Sequence, residues 1–358
     1  MERYVYVGTY TQDILFGTGE ILHGRGKGIY RLKQDIESGA LCLDTVWSGI
    51  DNPSFLTLNQ KQDRLYAVNE LKTYEGTFGG TVSAFKIDGQ NLEPMGRLAT
   101  GGSDPCHVTL FEEKRTLYVA NFMSGSVSVF SLASNGALSE RIQLIQHDGK
   151  SVNPIRQAGP HAHSVVINRD FAYVPDLGLD SVICYQIERD GTLKERPDLC
   201  YNAEPGSGPR HMVFDQSGDC AYVINELTSS VASVKYCGGS GPVQINCQST
   251  LPKDSLQVDN SCACIHLNHA GMFLYASNRG HNSIAVYRVL SDHLEQIGCY
   301  SSHGEIPRDF VITPDDRFLI CANQSSDELV VFKLNPDNGL MVLRQTMQIP
   351  TPVCVVAL

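Results

Sequence analysis

A short apolar segment closed by a small or polar residue recurs seven times along the chain. The copies read VYVGT (5–9), LYAVN (65–69), LYVAN (117–121), AYVPD (172–176), AYVIN (221–225), LYASN (274–278) and LICAN (319–323). Ahead of the later copies runs a second apolar stretch with a Pro-containing or polar start: NPSFLTLN, DPCHVTLF, HAHSVVIN, PRHMVFDQ, CACIHLNH and PRDFVITP. A seventh such stretch, TPVCVVAL, ends the chain. Behind the copies comes a third strand, seen as VSAF, VSVF, VICY, VASV, IAVY and LVVF, then a polar turn such as SNGAL, RDGTL or PDNGL and a weaker fourth strand. Each unit is thus four strands with no helical period, and self-similarity of this kind constrains the fold before any single residue does.

Seven units in 358 residues give about 51 residues each, the spacing of four-stranded propeller blades and too long for β-helix coils. The prediction is an all-β, seven-bladed β-propeller of four-stranded antiparallel blades, forming one domain over residues 1–358. TPVCVVAL has no strand after it and RYVYVGTY none before it, so the two share a blade and close the ring. The single Trp excludes a repeated Trp-Asp signature. Two inserts, LKTYEGTFGG (71–80) and QHDGKSVNPIRQAG (146–159), are candidates to wall one face.

Composition narrows the partners. Lys and Arg total 28 against 39 Asp and Glu, a formal charge of −11, with no basic run interleaved with aromatics, so nucleic acid and anionic membranes are excluded as partners. The start MERYVYVGTY enters a β pattern directly, without an apolar leader, which argues for a cytoplasmic protein. The oligomeric state stays open, and a monomer is compatible with it. Most of the 12 Cys sit inside apolar strands, as Cys184, Cys220 and Cys321 do, and read as buried thiols. Cys262 and Cys264 with nearby His266 raise a metal site, but no second pair completes a tetrahedral set, so the expectation is packing and no metal.

Polar residues then collect by construction. The first strand of a unit leads to a polar tip and the second returns antiparallel, so the start of one and the end of the other share an edge. His107, His161, His163, Asp176, Arg210, His211, Glu226, Arg279, Arg308, Asp309 and Gln324 fall on that edge and are expected to ring a channel mouth. Several Arg and His there, on an acidic chain, point to a small anionic ligand. Structural readings stand beside this one. Arg210 and Glu226 can pair simply to fasten a hairpin, and Arg308 has Asp309, Asp315 and Asp316 within reach. His107 and His211 can bond between blades, and the repeated Asn69, Asn121, Asn225, Asn278 and Asn323 read as turn caps. Cys106 and His107, adjacent in a strand, point to opposite faces and do not read as a nucleophile pair.

The motifs GPHAHSVV, GPRHMVF, VINEL, SNRG and PRDFVITPDDRFL, in that order, resemble the lactonase propellers that include bacterial 6-phosphogluconolactonase and fungal 3-carboxy-cis,cis-muconate lactonizing enzyme. The resemblance spans essentially the whole chain. It implies that His161 or His163, Arg210, Glu226 and Arg279 form the active-site group, with no metal or organic cofactor. Where relatives read His-Pro-His, this chain reads His161-Ala162-His163 and loses a rigid residue. The expected reaction is hydrolysis of an anionic sugar lactone in carbohydrate metabolism, most concretely 6-phosphogluconolactone in the pentose phosphate pathway. Glu226 or His163 is the expected base, Arg210 the oxyanion partner and His161 the acid. Arg279, Arg308, His211, Asp176 and Gln324 are expected to bind substrate. Cycloisomerisation of a carboxylated muconate and a non-catalytic binding platform are the alternatives.

Overall fold

A computed structural model describes residues 1–16, 19–236, 241–255, 258–291 and 293–357. Seven antiparallel sheets follow one another, as the repeat predicts. Blade 2 comprises Phe55–Leu58, Arg64–Asn69, Thr81–Asp88 and Asn91–Ala99; blade 3 comprises Pro105–Phe111, Thr116–Asn121, Ser126–Leu132 and Leu138–Gln146. Blade 4 comprises Val166–Asn168, Phe171–Asp176, Ser181–Ile187 and Leu193–Glu195. Its outer edge is broken by a 3₁₀ turn at Pro197–Leu199, and Tyr201–Asn202 rejoins the third strand beyond it. Pro197 supplies no N–H to a ladder, so the fourth strand stops there.

Blade 5 holds Pro209–Phe214, Cys220–Asn225, Ser230–Lys235 and Val243–Ser249; blade 6 holds Ser261–Leu267, Phe273–Arg279, Ser283–Val289 and Leu294–Ser301. Blade 7 holds Pro307–Ile312, Phe318–Asn323, Glu328–Leu334 and Met341–Gln348. The chain ends meet in blade 1, in the order Pro352–Ala357, Glu2–Thr9, Gly28–Asp35 and Leu41–Ser48. Val5 there faces Ala357 and Val7 faces Val355, which is the shared blade expected from the unmatched terminal strands.

The backbone groups into two compact units. One contains 1–9, 30–46 and 210–358, hence blades 5 to 7 and most of blade 1; the other contains 10–29 and 47–209, with blades 2 to 4. In the first, successive blades bury apolar faces against each other. Ile224 and Tyr222 pack with Leu274 and Ala285, Tyr275 and Val286 with Phe310 and Leu319, and Phe318 and Val331 with Val5 and Val355. In the second, Tyr66 and Val82 pack with Val119 and Phe130, and Tyr118 and Val129 with Val174 and Tyr185. Alternation along each strand sends alternate side chains to opposite faces, so that within each unit neighbouring blades bury their facing surfaces against each other.

The repeat residues explain how blades lock. Tyr66, Tyr118 and Tyr275 each donate a phenolic hydrogen bond of 2.9–3.0 Å to a turn glycine in the next blade, at Gly136, Gly191 and Gly339. The recurring Asn residues are buried and structural, and bond both to the linker before the blade and across the turns that follow them. Asn69 donates to the carbonyl of Asp51, Asn278 to that of Thr250 and Asn323 to that of Ser302, all in the linker before the blade. Asn121 and Asn225 instead donate across the hairpin to Ser126 and Ser230. The first insert forms a hairpin of Thr73–Tyr74 and Thr77–Phe78, and a similar one joins Ile14–Leu15 to Ile21–Leu22.

Candidate active site

Two repeat positions generate the site. The residue after the Pro that opens a first strand is Cys106 in blade 3, Arg210 in blade 5 and Arg308 in blade 7. The ladder register shifts between Pro105 and His107 and between Pro307 and Asp309, so that Cys106 and Arg308 sit on a bulge, which re-aims a side chain. The second position follows the polar end of the second-strand motif and holds Glu70, Phe122, Glu226, Arg279 and Gln324.

In the first unit these positions bring cations onto one carboxylate. Glu226 Oε2 lies 3.2 Å from Arg210 Nε and 2.8 Å from Arg279 Nη2. Both guanidiniums are fixed by carbonyls: Arg210 Nη1 donates to Ala263 at 2.6 Å, and Arg279 Nη2 donates to Cys262 at 2.7 Å. Cys262 N in turn donates to Glu226 O at 3.1 Å. Arg210 Nη1 also lies 3.3 Å from His211 Nε2, a contact that holds when the ring carries its proton on Nδ1. Arg210 and Glu226 are buried, while Arg279 retains 13% side-chain exposure and Arg308 is half-buried.

Burial, then the charge of Arg279, pulls the Arg210 guanidinium down to about 10 against the support of Glu226, and Arg308 adds to the depression. It therefore keeps its charge at neutral pH. Arg279 and Arg308 both act on the buried Arg210 against the support of Glu226, and in a low-dielectric setting an anion beside such cations gains most. Gln324 is 4% exposed, and its Oε1 has no hydrogen-bond partner among the described residues.

The expected residues sort unevenly. Arg210, Glu226, Arg279 and His211 form one connected group, with Arg308 acting on it through charge. Of the carboxylates near Arg308 in sequence, Asp315 pairs with Arg3, Asp316 binds the Asn268–Ala270 turn, and Asp309 accepts from Val355 N at 2.8 Å. The foreseen Cys262, Cys264 and His266 cluster is split. Cys262 turns to Thr250 and Asn278, whereas Cys264 and His266 gather with Asp309, their donor atoms within 4.8 Å of one another. Burial raises the Cys264 thiol well above its ordinary range and raises the Asp309 carboxyl.

In the second unit the structure corrects the reading of Asp176 as a substrate contact. Asp176 is fully buried; its Oδ1 accepts from the backbone of His161, Gly178 and Leu179, and its Oδ2 lies 2.6 Å from His147 Nδ1. The far nitrogen of His147 lies 2.9 Å from the Tyr185 hydroxyl. A carboxylate with both oxygens spent and no exposure positions its neighbours and touches no ligand. His147 was missed because it sits in the 146–159 insert, outside the repeat register.

His161 stacks on Phe122 at 4.7 Å with Nδ1 3.0 Å from the Phe122 carbonyl, and His163 stands edge-on to the same ring at 5.2 Å. His163 N donates to Pro175 O and Leu177 N to His161 O, so backbone bonds fix the His161-Ala162-His163 segment. His107 lies tilted against Phe55 at 4.1 Å, while Cys106 Sγ lies 3.7 Å from His163 Nδ1 and 3.3 Å from the His163 carbonyl. The adjacent pair thus diverges as expected.

A family model described as "Lactonase, 7-bladed beta-propeller" matches residues 4–357. A Bacillus subtilis protein named 6-phosphogluconolactonase is 33% identical over 365 residues, covering 99% of this chain and 98% of the relative. Among solved structures, a Lactobacillus plantarum protein superposes with a TM-score of 0.90 at 33% identity, covering all of both chains. The Pseudomonas aeruginosa periplasmic gluconolactonase superposes at 0.89 with 28% identity, covering 100% of this chain and 99% of that one. Among the described residues, no helix is long and apolar enough to cross a membrane.

Proposed function

The chain belongs to the lactonase family of seven-bladed β-propellers, and from that premise we propose that it hydrolyses a sugar lactone bearing an anionic group, with 6-phosphogluconolactone as substrate and 6-phosphogluconate as product. The observation that carries this reading is the pairing of Arg210 and Arg279 with Glu226, with Arg308 acting on Arg210 through charge, on a chain of net charge −11. A phosphorylated sugar does not diffuse across membranes, so the reaction belongs to the cytoplasm, in the pentose phosphate route. The propeller acts as one domain and without nucleic acid.

The roles follow from accessibility. Arg279 and Arg308, the more exposed cations, receive the anionic group by charge-assisted hydrogen bonds. A substrate anion on Arg279 competes with Glu226 and loosens the hold on its carboxylate, which then accepts a proton from water. The water oxygen bonds to the lactone carbonyl carbon, the carbonyl π pair moves onto its oxygen, and Arg210 stabilises that oxyanion. Collapse breaks the ring C–O bond, and the departing alkoxide takes back the proton Glu226 received, leaving carboxylic acid and alcohol with water consumed. Gln324 Oε1 suits a substrate hydroxyl.

Freshly generated 6-phosphoglucono-δ-lactone, followed against its spontaneous hydrolysis, tests the reading. Wild type should accelerate ring opening, and Arg279→Ala should lose roughly 10²-fold or more while keeping its fold. Equal acceleration of unphosphorylated glucono-δ-lactone would move the substrate toward that of the Pseudomonas neighbour. No acceleration of either would turn attention to muconate-type chemistry or to a binding platform.

A further inference from the structure

The Cys264, His266 and Asp309 cluster does something the lactone reading leaves unused. Cys264 and His266 occupy alternate positions of the first strand of blade 6, and Asp309 lies on the first strand of blade 7. Their donor atoms fall within 4.8 Å of one another. Cys264 and Asp309 are buried and His266 is half-buried, with its ring edge-on to Phe310 at 5.2 Å.

The chemistry of the set is selective. A thiolate, an imidazole and a carboxylate are the three ligand types of zinc sites, at bond lengths of about 2.0–2.3 Å, and three protein ligands leave a fourth position for water. Two such bonds span at most about 4.6 Å, so a small side-chain rotation closes the observed spread onto one ion. Cys264 Sγ would give up its 3.7 Å contact with the Phe310 carbonyl in doing so. Charge also balances. Arg210 acts on both Cys264 and Asp309 but is already paired with Glu226. Thiolate and carboxylate together carry two negative charges, which a divalent cation cancels. The outer support is present as well: Asp309 Oδ2 accepts from Val355 N at 2.8 Å, which orients the carboxylate.

We propose that Cys264, His266 and Asp309 bind one thiophilic divalent cation of the Zn²⁺ class, clasping the first strands of blades 6 and 7. Through Asp309 and Val355 the clasp also reaches the C-terminal strand of blade 1. Because the ion binds the folded chain and not the unfolded one, it should raise the thermal midpoint.

The test uses the full chain, stripped with a chelator and titrated with Co²⁺ and then Zn²⁺. Wild type should develop a near-ultraviolet thiolate-to-cobalt band that saturates at one equivalent, is displaced by Zn²⁺, and accompanies a higher thermal midpoint. Cys264→Ser should abolish the band, and Asp309→Asn and His266→Ala should each weaken Zn²⁺ binding by roughly tenfold or more. Absence of the band in wild type overturns the proposal. So does a band that survives Cys264→Ser, which would arise at an exposed thiol such as Cys42 or Cys247. Should Cys264→Ser fail to fold, Zn²⁺ affinity in the other two variants decides: values equal to wild type overturn the site, and weakened values support it.

Discussion

At the scale of single residues, the buried charges divide into the Arg210, Glu226 and Arg279 group and those that hold the backbone. Asp176 with His147 and Tyr185 belongs to the second kind: the pair is 2.6 Å apart, with side-chain exposures of 1% and 0%. Removing His147 leaves the buried Asp176 Oδ2 without that donor while Oδ1 keeps its amides, at a cost of about 1–3 kcal/mol. His147→Ala should therefore lower stability by that amount, measured by urea unfolding with an unchanged slope. Asp176→Asn, which keeps an oxygen for the amides of His161, Gly178 and Leu179, should cost less. A His147→Ala midpoint equal to wild type would mean that His147 is incidental. The sequence made part of this legible. Arg210, Glu226 and Arg279 stand at repeat positions, so period and register alone placed them together. His147 comes from an insert, and Asp309 joins Cys264 across neighbouring strands 45 positions apart; neither relation has a spacing to read. Asp176 was misjudged because sequence order reveals which edge a carboxylate occupies but not how many donors will converge on it.

At the scale of elements, the period of the repeat was legible because it is enforced twice, by apolar alternation within each strand and by the Tyr-to-glycine bond between blades. Tyr118 is fully buried, its hydroxyl donates to Gly191 O at 2.9 Å, and burial pushes its phenol up to about 12. Gly191 has φ of +86°, and a Cβ there would meet the Thr116 methyl at 2.2 Å, so the turn can approach blade 3 only as glycine. The Tyr and the turn Gly of the next unit are therefore two halves of one contact, although the sequence presents them 73 residues apart. Tyr118→Phe keeps the ring packing and strands the Gly191 carbonyl, so it should cost about 1–3 kcal/mol. A thermal or denaturant midpoint indistinguishable from wild type would show that ring packing alone joins these blades. The broken fourth strand of blade 4 was not legible in the same way, since outer strands carry weak apolar patterns and Pro197 acts on a strand with little else to define it.

At the scale of the whole molecule, the seam that joins the termini is the place where covalent continuity is missing and noncovalent contact must replace it. The C-terminal strand does so by pairing with Glu2–Thr9, by burying Val353 and Val355 and by reaching Asp309. A polar clasp is added at the surface, where the Arg3 guanidinium donates to Asp315 in the tip of blade 7. Burial works against the Asp315 carboxylate, but the Thr313 hydroxyl and Arg3 overcome it and hold the group below its ordinary range. For an acid whose folded value is depressed, the folded state binds fewer protons than the unfolded state through the intervening window. The stabilisation is thus complete above the unfolded value of about 4 and disappears as pH falls through the folded one. The pair is partly exposed, so its worth is about 1 kcal/mol or less. Asp315→Asn should lower the denaturation midpoint slightly at pH 7, and the gap to wild type should close as pH falls below about 4. A gap that stays constant from pH 7 to pH 3 would assign the loss to the neutral Thr313 hydrogen bond instead of to charge, and would leave the seam held by its strand pairing and apolar faces alone.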